Sequence, residues 1–314
     1  MIQRSGEPGY VALARSGELK QRAETAVARM GHCELCPRRC GVDRLNGELG
    51  FCRTGANARV ASYSPHFGEE SPLVGTHGSG TLFMSSCNLL CSFCQNREIS
   101  HGNEGLDADP DQIAQVMLLL AEQGCHNVNV VTPSHVVPQI LEALAIAADR
   151  GLRVPLVYNS GGYDEVETLR LLDGVVDIYM PDFKFWDGSW SDRFCGAPDY
   201  PEKARAALRE MHGQVGDLEL DENGLARSGL LVRHLVMPGG IAGTRRIAEF
   251  IAEEISPDTY VNVMDQYRPC GDARRDETID RRLTAREFRE ATAAAREAGL
   301  HRLDPRDRVR LALF

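Results

Sequence analysis

Ser85–Asn96 reads SSCNLLCSFCQN and directly follows an apolar run, Thr81–Met84. Cys87, Cys91 and Cys94 stand within this one loop at the spacing C-x3-C-x2-C. Three thiolates so placed can each take one iron of a four-iron cubane. The fourth iron is left without a protein ligand, whereas an ordinary electron-transfer cluster uses a fourth cysteine. An open metal position is where substrate chemistry takes place, by the logic that separates catalytic from structural zinc sites. The competing reading is a zinc knuckle or three buried thiols. Zinc sites usually come as paired C-x2-C units with four ligands, which this loop does not supply.

Upstream lies a second cysteine group: Cys33, Cys36, Cys40 and Cys52 in CELCPRRCGVDRLNGELGFC. Pro37, Gly41, Gly47 and Gly50 supply turns between them, so the four thiolates can close around one metal. Structural zinc and an auxiliary iron–sulfur cluster both accept four thiolates, and spacing leaves the two open. Residues 1–32 read as a polar helical arm. Residues 53–79 read as loop, with His66 and His77 unassigned. Cys125, Cys195 and Cys270 read as unligated thiols, Cys125 buried just ahead of a strand.

Downstream of Gly80 strands alternate with helices. The candidate strands are Thr81–Met84, Asn127–Val131, Pro155–Tyr158, Val175–Met180, Leu230–Val236 and Tyr260–Met264. They are mostly continuous apolar runs, which suit strands covered on both faces of a parallel sheet. Asp109-Pro110 opens one helix, with Ile113, Val116, Met117 and Leu120 on a face and Gly124 past its end. Further helices are expected over Val136–Arg150, Asp164–Leu172, Pro201–His212, Thr244–Ile255 and Thr284–Ala298. Asn223-Gly224 marks a hairpin turn in an insertion between Val215 and Gly229. Six such units make a partial barrel of six strands, although spacing alone also allows an open doubly wound sheet. The polar segments after the strands favour the barrel, because they would share one mouth. They are the cysteine loop, Thr132–His135, Asn159–Gly162, Pro181–Lys184, Met237–Gly240 and Asp265–Arg268.

The chain has 314 residues, 43% hydrophobic and 25% charged, which is ordinary for a globular protein. Its 45 acidic against 35 basic residues give a net charge of −10 and argue against nucleic acid as the main partner. No run approaches the length of a membrane span, and the polar start MIQRSGEPG is unlike a signal peptide. Ten cysteines without an export signal point to a reducing, cytoplasmic setting.

The cysteine loop resembles the signature of the radical S-adenosylmethionine (AdoMet) superfamily. Residues 80–299 are similar to the activating enzymes of glycyl radical enzymes, the pyruvate formate-lyase activase type. Gln95-Asn96 continues the match, Asp182-x-Lys184 resembles the family's D-x-K motif, and Arg233–Gly239 (RHLVMPG) resembles its later strand and turn. With CPRRCGVDR included, the whole chain is most similar to a branch described as iron–sulfur homologues of those activases. The resemblance implies an α/β fold, a partial (β/α)6 barrel over residues 80–314, with a helical and cysteine-rich extension over 1–79. It implies a 4Fe-4S cluster on Cys87, Cys91 and Cys94 that chelates and reductively cleaves AdoMet, and a radical that abstracts a substrate hydrogen. It implies an AdoMet site drawn from Phe93 beside the adenine, Ser134, Asn159, Asp182, Lys184 and Arg233, with Asp265 and Tyr267 toward the substrate. His135 joins the mouth, and strand alternation lets only one of Arg233 and His234 face the site.

A reductant such as flavodoxin or ferredoxin is implied as partner. The implied substrate is a protein glycine, with a peptide or small metabolite as alternatives; the rival class is a non-catalytic iron–sulfur or zinc protein. One departure stands out. Activases carry Gly-Gly-Glu after the second strand, and here Thr-Pro-Ser-His stands there without an acid.

Overall fold

The computed structural model describes residues 6–305. A short helical arm, α1 (Gly9–Ser16) and α2 (Glu18–Ala28), leads in, and the sheet begins earlier than the apolar runs suggest. Residues 53–79 are not loop: they hold β1 (Ala58–His66) and the single turn α3 (Ser71–Val74). β1 lacks an apolar run, and its partners hold it in place. It lies antiparallel to β2 (Ser79–Met84) on one side and to β3 (Leu106–Ala108) on the other. The sheet therefore crosses the 79/80 boundary drawn from sequence. Pro65 falls beyond the residues that pair with β3, where a missing N–H costs no ladder bond.

After β2 come α4 (Arg97–Ser100), β3, and α5 (Pro110–Glu122). The Asp109–Gln112 capping box starts α5 with Pro110 in its first turn, and Ile113, Ala114, Met117 and Leu120 are buried. Then follow β4 (Val128–Val131), α6 (Val137–Asp149), β5 (Leu156–Ser160), α7 (Val166–Leu169) and β6 (Ile178–Pro181). α8 (Gly188–Cys195), α9 (Tyr200–Val215), the short β7 (Glu219–Leu220) and β8 (Ala226–Leu235) come next. β7 and β8 form the hairpin that Asn223-Gly224 marks. α10 (Thr244–Phe250), β9 (Tyr260–Met264), α11 (Ala285–Glu297) and β10 (Arg302–Leu303) complete the described chain.

The fold is α/β with one central, mostly parallel sheet, in the order β10-β9-β8-β6-β5-β4-β2-β1-β3. The run from β10 to β2 is parallel, and the sheet is open, ending at β10 and β3. All six expected strands are present, with ends shifted by a few residues.

Alternation sorts strand residues onto two faces. Leu82, Val128, Val130, Tyr158, Tyr179, Leu230 and Val232 join the large core built with the helices and with Tyr10 and Leu19 of the arm. Val157, Ile178, Met180, Leu231 and Tyr260 form a second cluster on the opposite face, with Leu73 of α3. The residues above this second cluster, toward the carboxyl ends of the strands, carry the polar groups described next. No helix among the described residues is long and apolar enough to cross a membrane.

Candidate functional site

The cysteine loop leaves β2 through Ser86 and turns again at Leu90, both at positive φ (71° and 51°), a conformation that non-glycine residues adopt only where surroundings hold it. Donors converge on its sulfurs. Leu89 N–H donates to Cys87 Sγ at 3.3 Å, and the Ser100 hydroxyl donates to Cys94 Sγ at 3.2 Å. Cys195, carried in by α8, sits with its Sγ 3.4 Å from Cys91 Sγ. Sequence gave no sign of this, because the two lie 104 residues apart.

Burial pushes the Cys87 thiol up to about 12. The Cys195 contact and burial raise Cys91, and burial raises Cys94. Among the described residues no three His, Cys, Asp or Glu side chains converge on a single metal ion. The donor chemistry nevertheless suits a cluster: three thiols on one loop, and N–H and O–H donors on their sulfurs.

The segment after β6 alternates strictly. Phe183 and Phe185 are fully buried in the helix-side core, so Asp182 and Lys184 turn to the other face. There Lys184 Nζ lies 2.5 Å from Asp182 Oδ2, and Lys184 also feels the Cys91 sulfur. Burial works to lower its pKa, but Asp182 and Cys91 outweigh burial and hold it well above the usual lysine value. The Tyr200 hydroxyl accepts from Lys184 N–H at 2.9 Å, which fixes the segment to α9.

Arg233 of β8 shares this face and His234 takes the other. His234 bonds the Phe183 carbonyl at 2.7 Å and the Thr244 hydroxyl at 2.8 Å, and burial lowers its pKa to about 4. Arg233 is engaged by two acids that sequence reading missed. It donates to Glu70 through Nε at 2.8 Å and Nη2 at 2.7 Å, and also to Glu69. Asn262 of β9 donates to the same Glu70 at 2.6 Å. Burial works to raise the Glu69 carboxyl, but Arg233 and His66 outweigh it and hold Glu69 below its usual value, while Glu69 raises His66. The acids come from the turn between β1 and α3, a stretch read as loop. The pair EE before Ser-Pro was the only available signal.

Other expected residues fall elsewhere. Ser134 is buried on the helix side, bonded to Asp164 and Tyr158 rather than facing a mouth. Asp164 also accepts from Tyr158 at 2.8 Å and Ser160 at 2.6 Å, a closed network. Phe93 is buried edge-on against Phe185, Phe194 and Tyr267, with ring centroids 5.8, 6.4 and 6.3 Å away. Tyr267 is itself buried and donates to the Ile279 carbonyl at 2.7 Å, not toward a substrate. Asp265 is exposed. Asn159 pairs in register with Val131 and Met180 and stays on the site face. Cys125 is buried before β4, and Cys270 edges a groove of about 620 Å³ with Cys94, Arg97, Arg268, Arg274 and Arg282.

The N-terminal cysteines come together. Cys33, Cys36, Cys40 and Cys52 line one small cavity of about 10 Å³, with Arg38, Arg44 and His135. Cys33 N–H bonds the Val42 carbonyl and Gly41 N–H bonds the Cys33 carbonyl, both at 3.0 Å, which folds the segment back on itself. Phe51 N–H donates to Cys40 Sγ at 3.3 Å. A Cβ on Gly50 would lie 2.8 Å from Cys40 Sγ, so only glycine fits there. Burial pushes Cys36 up to about 12. His135 lies at this cavity and not at the mouth, with Nε2 2.9 Å from the Ser85 carbonyl.

The chain is 32% identical over 290 residues to uncharacterized protein MJ0674 of Methanocaldococcus jannaschii, covering 90% of this chain and 79% of the archaeal one. No family model matches the chain.

Proposed function

Since the chain belongs to the family of that archaeal protein, whose name states no activity, we propose a function from the site itself: a radical AdoMet enzyme on a partial-barrel scaffold. The observation that carries the reading is the meeting of two distant motifs, the three-thiol loop and the Asp182–Lys184 pair, with Lys184 beside Cys91. Helix packing against one strand face, with polar groups gathered on the other, supports a half-barrel more than a doubly wound sheet.

A cluster on Cys87, Cys91 and Cys94 would supply the electron that cleaves AdoMet and so generates a hydrogen-abstracting radical. The protein's part is binding and orientation. Lys184 is the cation placed to meet the AdoMet carboxylate. Asp182, Glu69 and Glu70 stand against Lys184 and Arg233 on this face, three acids against two permanent cations, with His66 also paired to Glu69. AdoMet carries an ammonium, a sulfonium and a carboxylate, and the face offers both acids and a cation to meet them. Glu69 and Glu70 thus supply acid to this face, where the segment after β4 has none. The substrate is a C–H donor, and the resemblance to activases favours a protein glycine.

The test is anaerobic reconstitution, an iron and sulfide count, and assay of 5′-deoxyadenosine with and without reductant. Wild type should release 5′-deoxyadenosine only when reduced, and replacement of Cys87, Cys91 and Cys94 by Ala should abolish release. Release by the triple variant, or none from a fully loaded wild type, refutes the proposal.

A further inference from the structure

Two arginines line the N-terminal cysteine cavity, and neither has a carboxylate partner among the described residues. Arg44 is 1% exposed. Its guanidinium donates to the Gly55 carbonyl through Nε at 3.2 Å and Nη2 at 3.0 Å, and to the His135 carbonyl at 2.9 Å. Its Nη1 also reaches Cys33 Sγ at 3.9 Å. Arg38 donates to the Asn88 and Cys195 carbonyls, both at 2.8 Å, and lies over the Phe51 ring at 3.8 Å. Carbonyls satisfy the donors of a guanidinium but do not neutralise its charge. Arg44 is a buried cation without a counter-charge, which is strongly disfavoured because arginine does not shed its proton. Arg38 is partly exposed at the edge of the cavity.

We propose that Cys33, Cys36, Cys40 and Cys52 bind a metal centre as four thiolates with a total charge of −2, and that Arg38 and Arg44 are its built-in counter-cations. Four thiolates around one divalent ion carry −2, and four thiolates on a four-iron core of charge +2 carry the same. Either one brings the cavity with its two guanidiniums to neutrality. Four protonated thiols would leave the buried Arg44 unbalanced. No three sulfurs converge on one point here, so binding turns the thiols inward onto the metal. Phe51 N–H already points at one of the sulfurs.

The centre also reaches the cysteine loop after β2. Arg38 ends on the Asn88 carbonyl and approaches that of Leu89 at 3.4 Å, and the Asn88 side chain bonds Cys36. Asn88 is the covalent neighbour of Cys87. The second centre therefore braces the first loop from outside, and it needs no cluster on that loop to form.

The experiment uses the full chain with Cys87, Cys91 and Cys94 replaced by Ala, purified anaerobically, with metal and sulfide counted. One zinc per chain, or about four irons with matching sulfide, supports the proposal, and the two outcomes name the metal. Absence of any stoichiometric metal overturns it, whatever the AdoMet assays show. In the same background Arg44→Met should lose the metal to a competing chromophoric chelator about tenfold more readily, with Arg44→Lys restoring part of the retention. Arg38→Met serves as the second reading where the Arg44 variant does not fold. Unchanged retention in the arginine variants that fold overturns the counter-cation assignment.

Discussion

Replacing Arg233 by Met tests the charge accounting of the site face most directly. The Glu70 side chain is 1% exposed and Glu69 6%, and Arg233 is the cation that pairs with both. Removing one member of a buried ion pair leaves the other uncompensated, at a cost of about 3–5 kcal/mol. A loss of that size lowers the unfolding midpoint by roughly 10 °C. The effect should depend on pH with a defined sign. In wild type Glu69 is held below its usual value, so its contribution is present above that value and fades as the pH falls. In the variant the stranded Glu69 carboxyl shifts upward, so the penalty grows as pH rises toward its new value and shrinks in acid. Thermal unfolding at about pH 5 and pH 8 should show a larger deficit at the higher pH. Adding Glu70→Gln to Arg233→Met should recover part of the loss, since it removes one stranded charge. A variant as stable as wild type at both pH values would refute the buried-network reading and leave Arg233 available to a ligand.

Lys184→Ala should load the same cluster iron as wild type yet bind AdoMet about tenfold or more weakly, from the roughly 1.5–3 kcal/mol of a charged hydrogen bond. An AdoMet titration followed by the cluster's spin signal reads this, and wild-type affinity would mean that Lys184 serves only Asp182. Glu287 caps α11, and its hydrogen bond with Arg281, together with Gly239 and Thr284 N–H, holds its carboxyl well below the usual range. Its contribution is therefore complete above about pH 4.3 and lost as pH falls through the depressed value. Glu287→Gln should lower the urea midpoint at pH 7 and flatten the acid limb, and an unchanged acid limb would count against the cap.

The parallel strands were legible because each is an apolar run closed by turn residues, and α5 because Asp109-Pro110-Asp111-Gln112 writes its own cap. β1 was not legible, because ARVASYSPH has neither an apolar run nor clean alternation. Its place comes from hydrogen bonds to β2 and β3, which sequence does not display. The site divides in the same way. Asp182, Lys184 and Arg233 came forward through the resemblance to the D-x-K and RHLVMPG motifs, and the N-terminal cysteines from their density. Glu69 and Glu70 were missed because the turn that carries them was read as solvent-facing loop. Cys195 was missed because only α8 brings it to Cys91. For Ser134 the sequence does not show its neighbours: a polar residue after a strand also has partners on the helix side, and here it bonds Asp164.

Phe93 shows how the two motifs are kept in register. An aromatic residue just before the third cysteine was expected to lie beside the adenine, yet its ring is buried against Phe185, the residue after Lys184. Phe185 stacks on Phe194 of α8, and the next residue of that helix is Cys195, which touches Cys91. The thiol loop, the Asp182–Lys184 segment and α8 therefore meet in one aromatic cluster on the helix side, while the thiols and the ammonium emerge from it. Edge-to-face contacts of this kind are directional, so they set orientation as well as burial. A rigid shared base of this kind holds a reactive set of groups within the narrow tolerance that positioning chemistry needs. On this geometry Phe93 is a positioning residue. Its truncation should act through misplacement of Cys91 relative to Lys184, so it should disturb cluster loading and AdoMet binding together. Loss of an adenine contact would disturb binding alone.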